Sequence, residues 1–121
     1  MARILVMDDS AFMRTLLRGA LEGAGHEVED LLPMSALEVL KKAKDMKPDL
    51  VLTDYHMPHI KGDEVARMVS RGAPEARIIV LTATHDPDVE GRLLRSGASL
   101  ILHKPMAAPE VLRNAEELLA R

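Results

Sequence analysis

The stretch Asp49-Leu50-Val51-Leu52-Thr53-Asp54-Tyr55-His56-Met57-Pro58 constrains this chain more than any other. Leu50 to Thr53 are four branched or leucyl-type residues in a row, bounded by Pro48 and Pro58. An uninterrupted run of this kind, too short for a helix, fits a strand buried on both faces of a parallel sheet. It delivers one carboxylate, Asp54, to its own carboxyl end. In open α/β sheets the ligand crevice lies outside those ends, so Asp54 is placed for chemistry rather than packing.

The rest of the chain repeats the strand-then-helix pattern. Ile4 to Met7 is a first apolar strand, closed by Asp8-Asp9-Ser10. The helix after it runs to about Ala24, with Phe12, Leu16 and Ala20 and also Met13, Leu17 and Leu21 at spacing of four, which predicts a wide apolar stripe. Gly23 and Gly25 end it. His26 to Leu32 alternates weakly and reads as an edge strand. Ser35-Ala36-Leu37-Glu38 matches a capping box; the helix it opens puts Ala36, Leu40 and Ala43 on one face and stops at Lys47-Pro48.

Beyond the central strand, Gly62-Asp63 precedes a short helix carrying Val65, Ala66 and Val69, which Gly72 terminates. Arg77 to Thr82 is a further apolar strand ending in a hydroxyl. Asp86-Pro87 has the form of an N-cap followed by proline in the first turn. That helix, to about Ser96, offers only Val89, Leu93 and Leu94 as large apolar residues, with Gly91 inside, and is expected to be the least firmly anchored. Ser99 to His103 is the last strand, ended by Lys104-Pro105. Pro109 opens a final helix with Val111, Leu112, Ala115, Leu118 and Leu119 inward.

Five strands alternating with five helices, joined by right-handed crossovers, predict one parallel sheet covered on both faces. The 121 residues, 47% hydrophobic, suit a single domain over 1–121 with a substantial core. There is no cysteine, which excludes disulfides and thiolate zinc sites. No apolar run approaches a membrane span or a signal-peptide core, so a cytoplasmic protein without membrane association is expected. A net charge of −3 with scattered Lys and Arg, and only Phe12 and Tyr55 as aromatics, argues against direct nucleic-acid binding.

In this arrangement Asp8, Asp9, Asp54, Thr82 and Lys104 all fall at the same sheet edge. Carboxylates gathered there repel: at an effective dielectric near 20, two charges about 5 Å apart cost roughly 3 kcal/mol. Lys104 offsets part of this, and a hard cation such as Mg2+ would offset the rest. Aspartates, a cation, a lysine and a hydroxyl together suit a phosphoryl group, whose oxygens need positive charge and donors.

The acidic pair Asp8-Asp9 with Ser10 and Arg14, the run Asp54-x-x-Met57-Pro58-x-x-x-Gly62, Thr82-Ala83, Gly97-Ala98 and Lys104-Pro105 resemble, in this order, the response-regulator receiver domain of two-component signalling. Asp8-Asp9-Ser10-Ala11-Phe12-Met13-Arg14 is especially similar to the stand-alone chemotaxis-type receivers. The resemblance implies a flavodoxin-like doubly wound sheet in the order 2-1-3-4-5. It implies that Asp54 is the phosphoacceptor, taking a phosphoryl group from a sensor histidine kinase or histidine phosphotransfer protein. It further implies that Asp9 ligates magnesium directly, Asp8 mainly through water, and Asp54 and the His56 carbonyl complete the protein ligands. Thr82 would bond the phosphoryl oxygen, Lys104 would pair with it, and the Lys104-Pro105 bond would be cis. Such a domain catalyses its own phosphorylation and slow dephosphorylation but is a switch, not a turnover enzyme, changing its affinity for a downstream protein partner.

One position departs from the pattern. The family usually has Tyr or Phe three residues before the lysine; here it is Ile101, which has no ring to swing inward. Coupling is therefore expected through the loop after Thr82 and helix 86–96. An unphosphorylated pseudo-receiver, acting only as an interaction module, is the alternative, and the intact acidic set argues against it. A flavin or phosphatase enzyme would want a Ser/Thr/Gly-rich phosphate loop or Asp-x-Asp spacing after the first strand, and neither occurs. His56, His59, His85 and His103 lie in or near the site loops. No two share a helical or strand spacing that presents both to one ion, so a transition-metal centre is not expected.

Overall fold

A computed structural model describes all 121 residues. The elements in chain order are β1 (Arg3–Met7), α1 (Ala11–Gly23), β2 (Glu27–Leu31), α2 (Ala36–Met46), β3 (Leu50–Asp54), α3 (Gly62–Gly72), β4 (Arg77–Thr82), α4 (Pro87–Arg95), β5 (Leu100–His103) and α5 (Ala108–Leu119). All five strands are parallel, in the order β2-β1-β3-β4-β5. The single parallel sheet is the one the strand–helix pattern predicts, and its strand order is the flavodoxin-like doubly wound order the resemblance implies.

Alternation along each strand sends successive side chains to opposite faces, and the core divides accordingly. Leu5, Met7, Val51, Ile78 and Val80 pack with Val39 of α2, Val65 and Val69 of α3 and Leu93 of α4. Ile4, Val6, Leu50, Leu52, Ile79, Leu81 and Leu102 pack with Leu17 and Leu21 of α1 and Val111, Ala115 and Leu118 of α5. The central strand β3 is buried over its whole length, as its unbroken apolar run requires. No helix is long and apolar enough to cross a membrane.

Local signals placed the helix starts well. Ser10, Ser35 and Asp86 each cap a helix by accepting a backbone N–H, from Met13, Glu38 and Asp88 respectively. The Glu38 side chain reaches back to the Met34 N–H at 2.7 Å, one residue before the cap position of a standard box. At the other end of α2, Lys47 takes a left-handed conformation with φ 50° before Pro48.

One expectation needs correction. The apolar stripe of α1 is narrower than its spacing suggests: Leu17 and Leu21 are buried, whereas Phe12 is 74% exposed and Leu16 is 43% exposed. Periodicity shows that a helix has an apolar side but does not set how much of it the neighbours cover. Gly72 ends α3, as the sequence reading has it, and it also lets that helix approach α2. A Cβ there would lie 2.8 Å from the Leu40 carbonyl oxygen and 2.9 Å from the Ala43 Cβ. Backbone cannot swing aside as a side chain does, so Gly72→Ala is expected to destabilise by about 1–3 kcal/mol, read as a lower urea midpoint with unchanged slope.

Helix α4 is the least anchored, as expected from its composition. Only Leu93 is fully buried, and Leu94 is 55% exposed. Arg92 adds polar contacts at 3.4 Å to Asp63 of α3 and to the Tyr55 hydroxyl, but such long surface contacts contribute little.

Candidate functional site at the carboxyl edge of the sheet

The carboxyl ends of β1, β3, β4 and β5 bring the expected residues to one edge. Asp8 and Asp9 follow β1, Asp54 ends β3, Thr82 ends β4, and Lys104 follows β5 through a cis Lys104-Pro105 bond. The parallel register does this work: Met7 lies beside Thr53 and Asp54 beside Leu81, so the four strands end nearly level.

Asp8, Asp9 and Asp54 each offer a carboxylate oxygen within 4.8 Å of the others. Asp8 and Asp54 are buried, whereas Asp9 is exposed. Lys104 donates to Asp54 Oδ1 at 2.9 Å, leaving Oδ2 without a donor from the protein. Asp8 Oδ1 accepts the Ser10 N–H at 2.8 Å, while its Oδ2 is buried with no hydrogen-bond partner. An orphaned buried carboxylate oxygen beside two further carboxylates is what a divalent cation with oxygen ligands would satisfy. The donor set therefore fits Mg2+.

Thr82 is buried, and its hydroxyl oxygen accepts the Thr84 N–H at 3.1 Å, which ties the β4–α4 loop to the site. The Lys104 N–H donates to the Thr82 carbonyl at 2.9 Å, so hydroxyl and lysine are anchored to each other through the backbone. His56 lies just after Asp54 with its imidazole exposed, edge-on to Tyr55. Its carbonyl accepts no hydrogen bond within the chain and remains available as a ligand. Ile101, at the position that departs from the family, is half-buried against the α2/α3/α4 side of the core.

Burial pushes the Asp54 carboxyl up from its ordinary value, against the opposing effect of Lys104; Asp9 adds to the rise. Burial is also the main cause of the upward shift at Asp8, reinforced by Asp54 and opposed by the Ser10 N–H. A carboxyl raised in the folded state binds its proton more tightly there than in the unfolded chain. The resulting penalty is present above the folded pKa values and is relieved as pH falls through them. Urea midpoints in EDTA are therefore expected to rise as pH is lowered from 7 toward the ordinary carboxylate range, and less so in Asp8→Asn. A wild-type midpoint that only falls over this interval would contradict the electrostatic picture.

The model of the response regulator receiver domain matches residues 4–116. The chain belongs to that family. It is 32% identical over 110 residues to the chemotaxis protein CheY of Thermotoga maritima, covering 91% of each chain. It is 30% identical over 117 residues to CheY of Listeria monocytogenes, covering 97% of this chain and 98% of that one. Among solved structures, a CheY-like receiver domain protein from Methanospirillum hungatei superposes with a TM-score of 0.89 at 27% identity, covering 99% of this chain and 94% of that one. CheY4 of Vibrio cholerae gives 0.86 at 28% identity, covering 97% and 98%. This receiver domain thus has the phospho-accepting role of its family in two-component signalling.

One cluster was missed by reasoning from spacing. His85, Glu90 and His103 also converge, each with a potential ligand atom within 4.8 Å of the others. His85 and His103 are 18 positions apart on different elements and meet only because β5 pairs with β4, placing Thr82 beside His103. No local signal could have found them.

Proposed function

We propose that this receiver domain accepts a phosphoryl group on Asp54 from the phosphohistidine of a sensor kinase or phosphotransfer protein, with Mg2+. The modified state then changes the domain's affinity for a protein partner in the cytoplasm. The observation that carries this reading is the set Asp54, Lys104 and the orphaned Asp8 oxygen at one sheet edge. Lys104 holds one oxygen of Asp54 in place and leaves the other to attack phosphorus; as that O–P bond forms, the P–N bond to the donor imidazole breaks. Asp8, Asp9, Asp54 and the His56 carbonyl would hold the ion, which supplies positive charge against the carboxylates and the phosphoryl oxygens. The Thr82 hydroxyl proton is available to a phosphoryl oxygen on Asp54. Lys104 then pairs with the added charge. The same groups would support slow hydrolysis of the acyl phosphate, which makes the domain a self-modifying switch and not a turnover enzyme. Incubation with acetyl phosphate and magnesium tests the reading: intact mass is expected to increase by one phosphoryl group, and no increase would refute it.

Signal transmission is expected through residues 83–97. The Thr82 hydroxyl would donate to a phosphoryl oxygen while still accepting the Thr84 N–H, so a shift of the hydroxyl toward the phosphoryl group would pull on the β4–α4 loop, and the helix beyond has little apolar anchoring. Hydrogen exchange with and without beryllofluoride, a phosphoryl mimic, should change most in 83–97. Change confined to α1 would exclude this route.

A further inference from the structure

We propose that His85, Glu90 and His103 form a second cation site, distinct from the aspartate cluster and selective for a zinc-class transition ion, which fastens α4 to the sheet. Three elements supply the donors: His85 from the β4–α4 loop, Glu90 from the first turn of α4, and His103 from the end of β5. Two imidazoles and one carboxylate, with solvent able to complete the shell, are a borderline-soft donor set. They suit Zn2+ or Co2+ and are poor ligands for Mg2+, which demands oxygen.

The geometry is partly prepared. Glu90 Oε2 and His103 Nε2 are 3.0 Å apart, close to the roughly 3.4 Å that separates neighbouring donors around a tetrahedral zinc ion. The His85 ring stacks on His103 with centroids 4.2 Å apart and planes 9° from parallel. Lone pairs of parallel rings run side by side, so His85 has to rotate out of the stack to complete the site. Its side chain is exposed and free to do so. The adjacent lysine does not oppose the ion at close range, because Lys104 Nζ is directed to Asp54.

Occupation would cross-link exactly those parts that the core holds weakly. Helix α4 has one fully buried side chain, and a bond from Glu90 to His103 through an ion would tie its first turn to β5. Because His103 pairs with Thr82 and precedes Lys104, the tether reaches the strand ends that carry both residues. The inference does not depend on phosphorylation of Asp54.

Cobalt absorption in excess magnesium tests it, since a large excess of magnesium competes with cobalt for the aspartate cluster and not for an imidazole-containing site. One equivalent of Co2+ is expected to give the intense visible bands of a four-coordinate nitrogen-containing site in the wild type and in Asp9→Ala. His85→Ala, which removes an exposed ring, and His103→Gln should each weaken binding by about tenfold or more with unchanged circular dichroism. Hydrogen exchange in α4 should slow on adding Zn2+ to the wild type and not to His85→Ala. Equal cobalt binding by wild type and both histidine variants, or loss of the bands in Asp9→Ala alone, would place the ion elsewhere and overturn the proposal. So would the absence of cobalt binding by the folded wild type.

Discussion

Asp54→Asn is expected to reduce acetyl phosphate labelling from one phosphoryl group per chain to essentially none. In the wild-type reaction a carboxylate oxygen bonds to phosphorus as the P–O bond to the acetyl group breaks and acetate leaves. The asparagine amide is nearly the same shape but neutral, and its oxygen lone pairs are far weaker nucleophiles. Its NH2 group, a donor, would also face the Lys104 ammonium or leave that cation without its 2.9 Å carboxylate partner. The substitution should not unfold the protein, because it removes a carboxylate whose ionisation is already disfavoured by burial, and Lys104 is a third exposed and can reach water. Intact-mass analysis after timed incubation reads the outcome directly. A variant labelled as fully as the wild type would assign the phosphoacceptor elsewhere, even though the domain accepts phosphate.

The magnesium response should be nearly as large and should depend on Asp9. An ion bound only by the native state stabilises it by mass action, by about 2.7 kcal/mol at a hundredfold excess over Kd. For a chain of this size that is a rise in Tm of roughly 10 °C. Asp9 is the exposed member of a trio whose ligand oxygens lie within 4.8 Å, so its loss removes a ligand without opening the core. Asp9→Ala is accordingly expected to abolish the rise. It should also leave the metal-free protein as stable as the wild type or more so, because one of three repelling charges is gone. Thermal melts in EDTA and in saturating magnesium separate the two effects. A wild type indifferent to magnesium would remove the cation from the proposed mechanism, and an Asp9→Ala variant that responds fully would remove Asp9 from the ligand set.

What the sequence determined by itself was the part written in short-range physics. The apolar runs of β3 and β4 can be satisfied only by burial on both faces, so the parallel sheet was legible, and with it the edge to which Asp54 and Thr82 belong. Ser10, Ser35 and Asp86 act within three residues of themselves, which is why the helix starts they mark agree with the structure. The convergence of Asp8, Asp9, Asp54, Thr82 and Lys104 was legible for a related reason: each lies at or just after the end of a strand, and strand ends in a parallel sheet converge whatever the details of packing.

Tertiary structure alone decided the rest. Phe12 and Leu16 fit the apolar spacing of α1 as well as Leu17 and Leu21 do, and only the placement of α1 against the sheet and α5 leaves the first pair in solvent. Gly72 carries no local mark of the α2 backbone it admits. The meeting of His85, Glu90 and His103 follows from the β4–β5 register and the docking of α4, which join residues remote in the chain. Spacing records which residues share a face of one element. Contact between elements depends on register and on which surfaces are finally covered, and those are settled by the packed core as a whole.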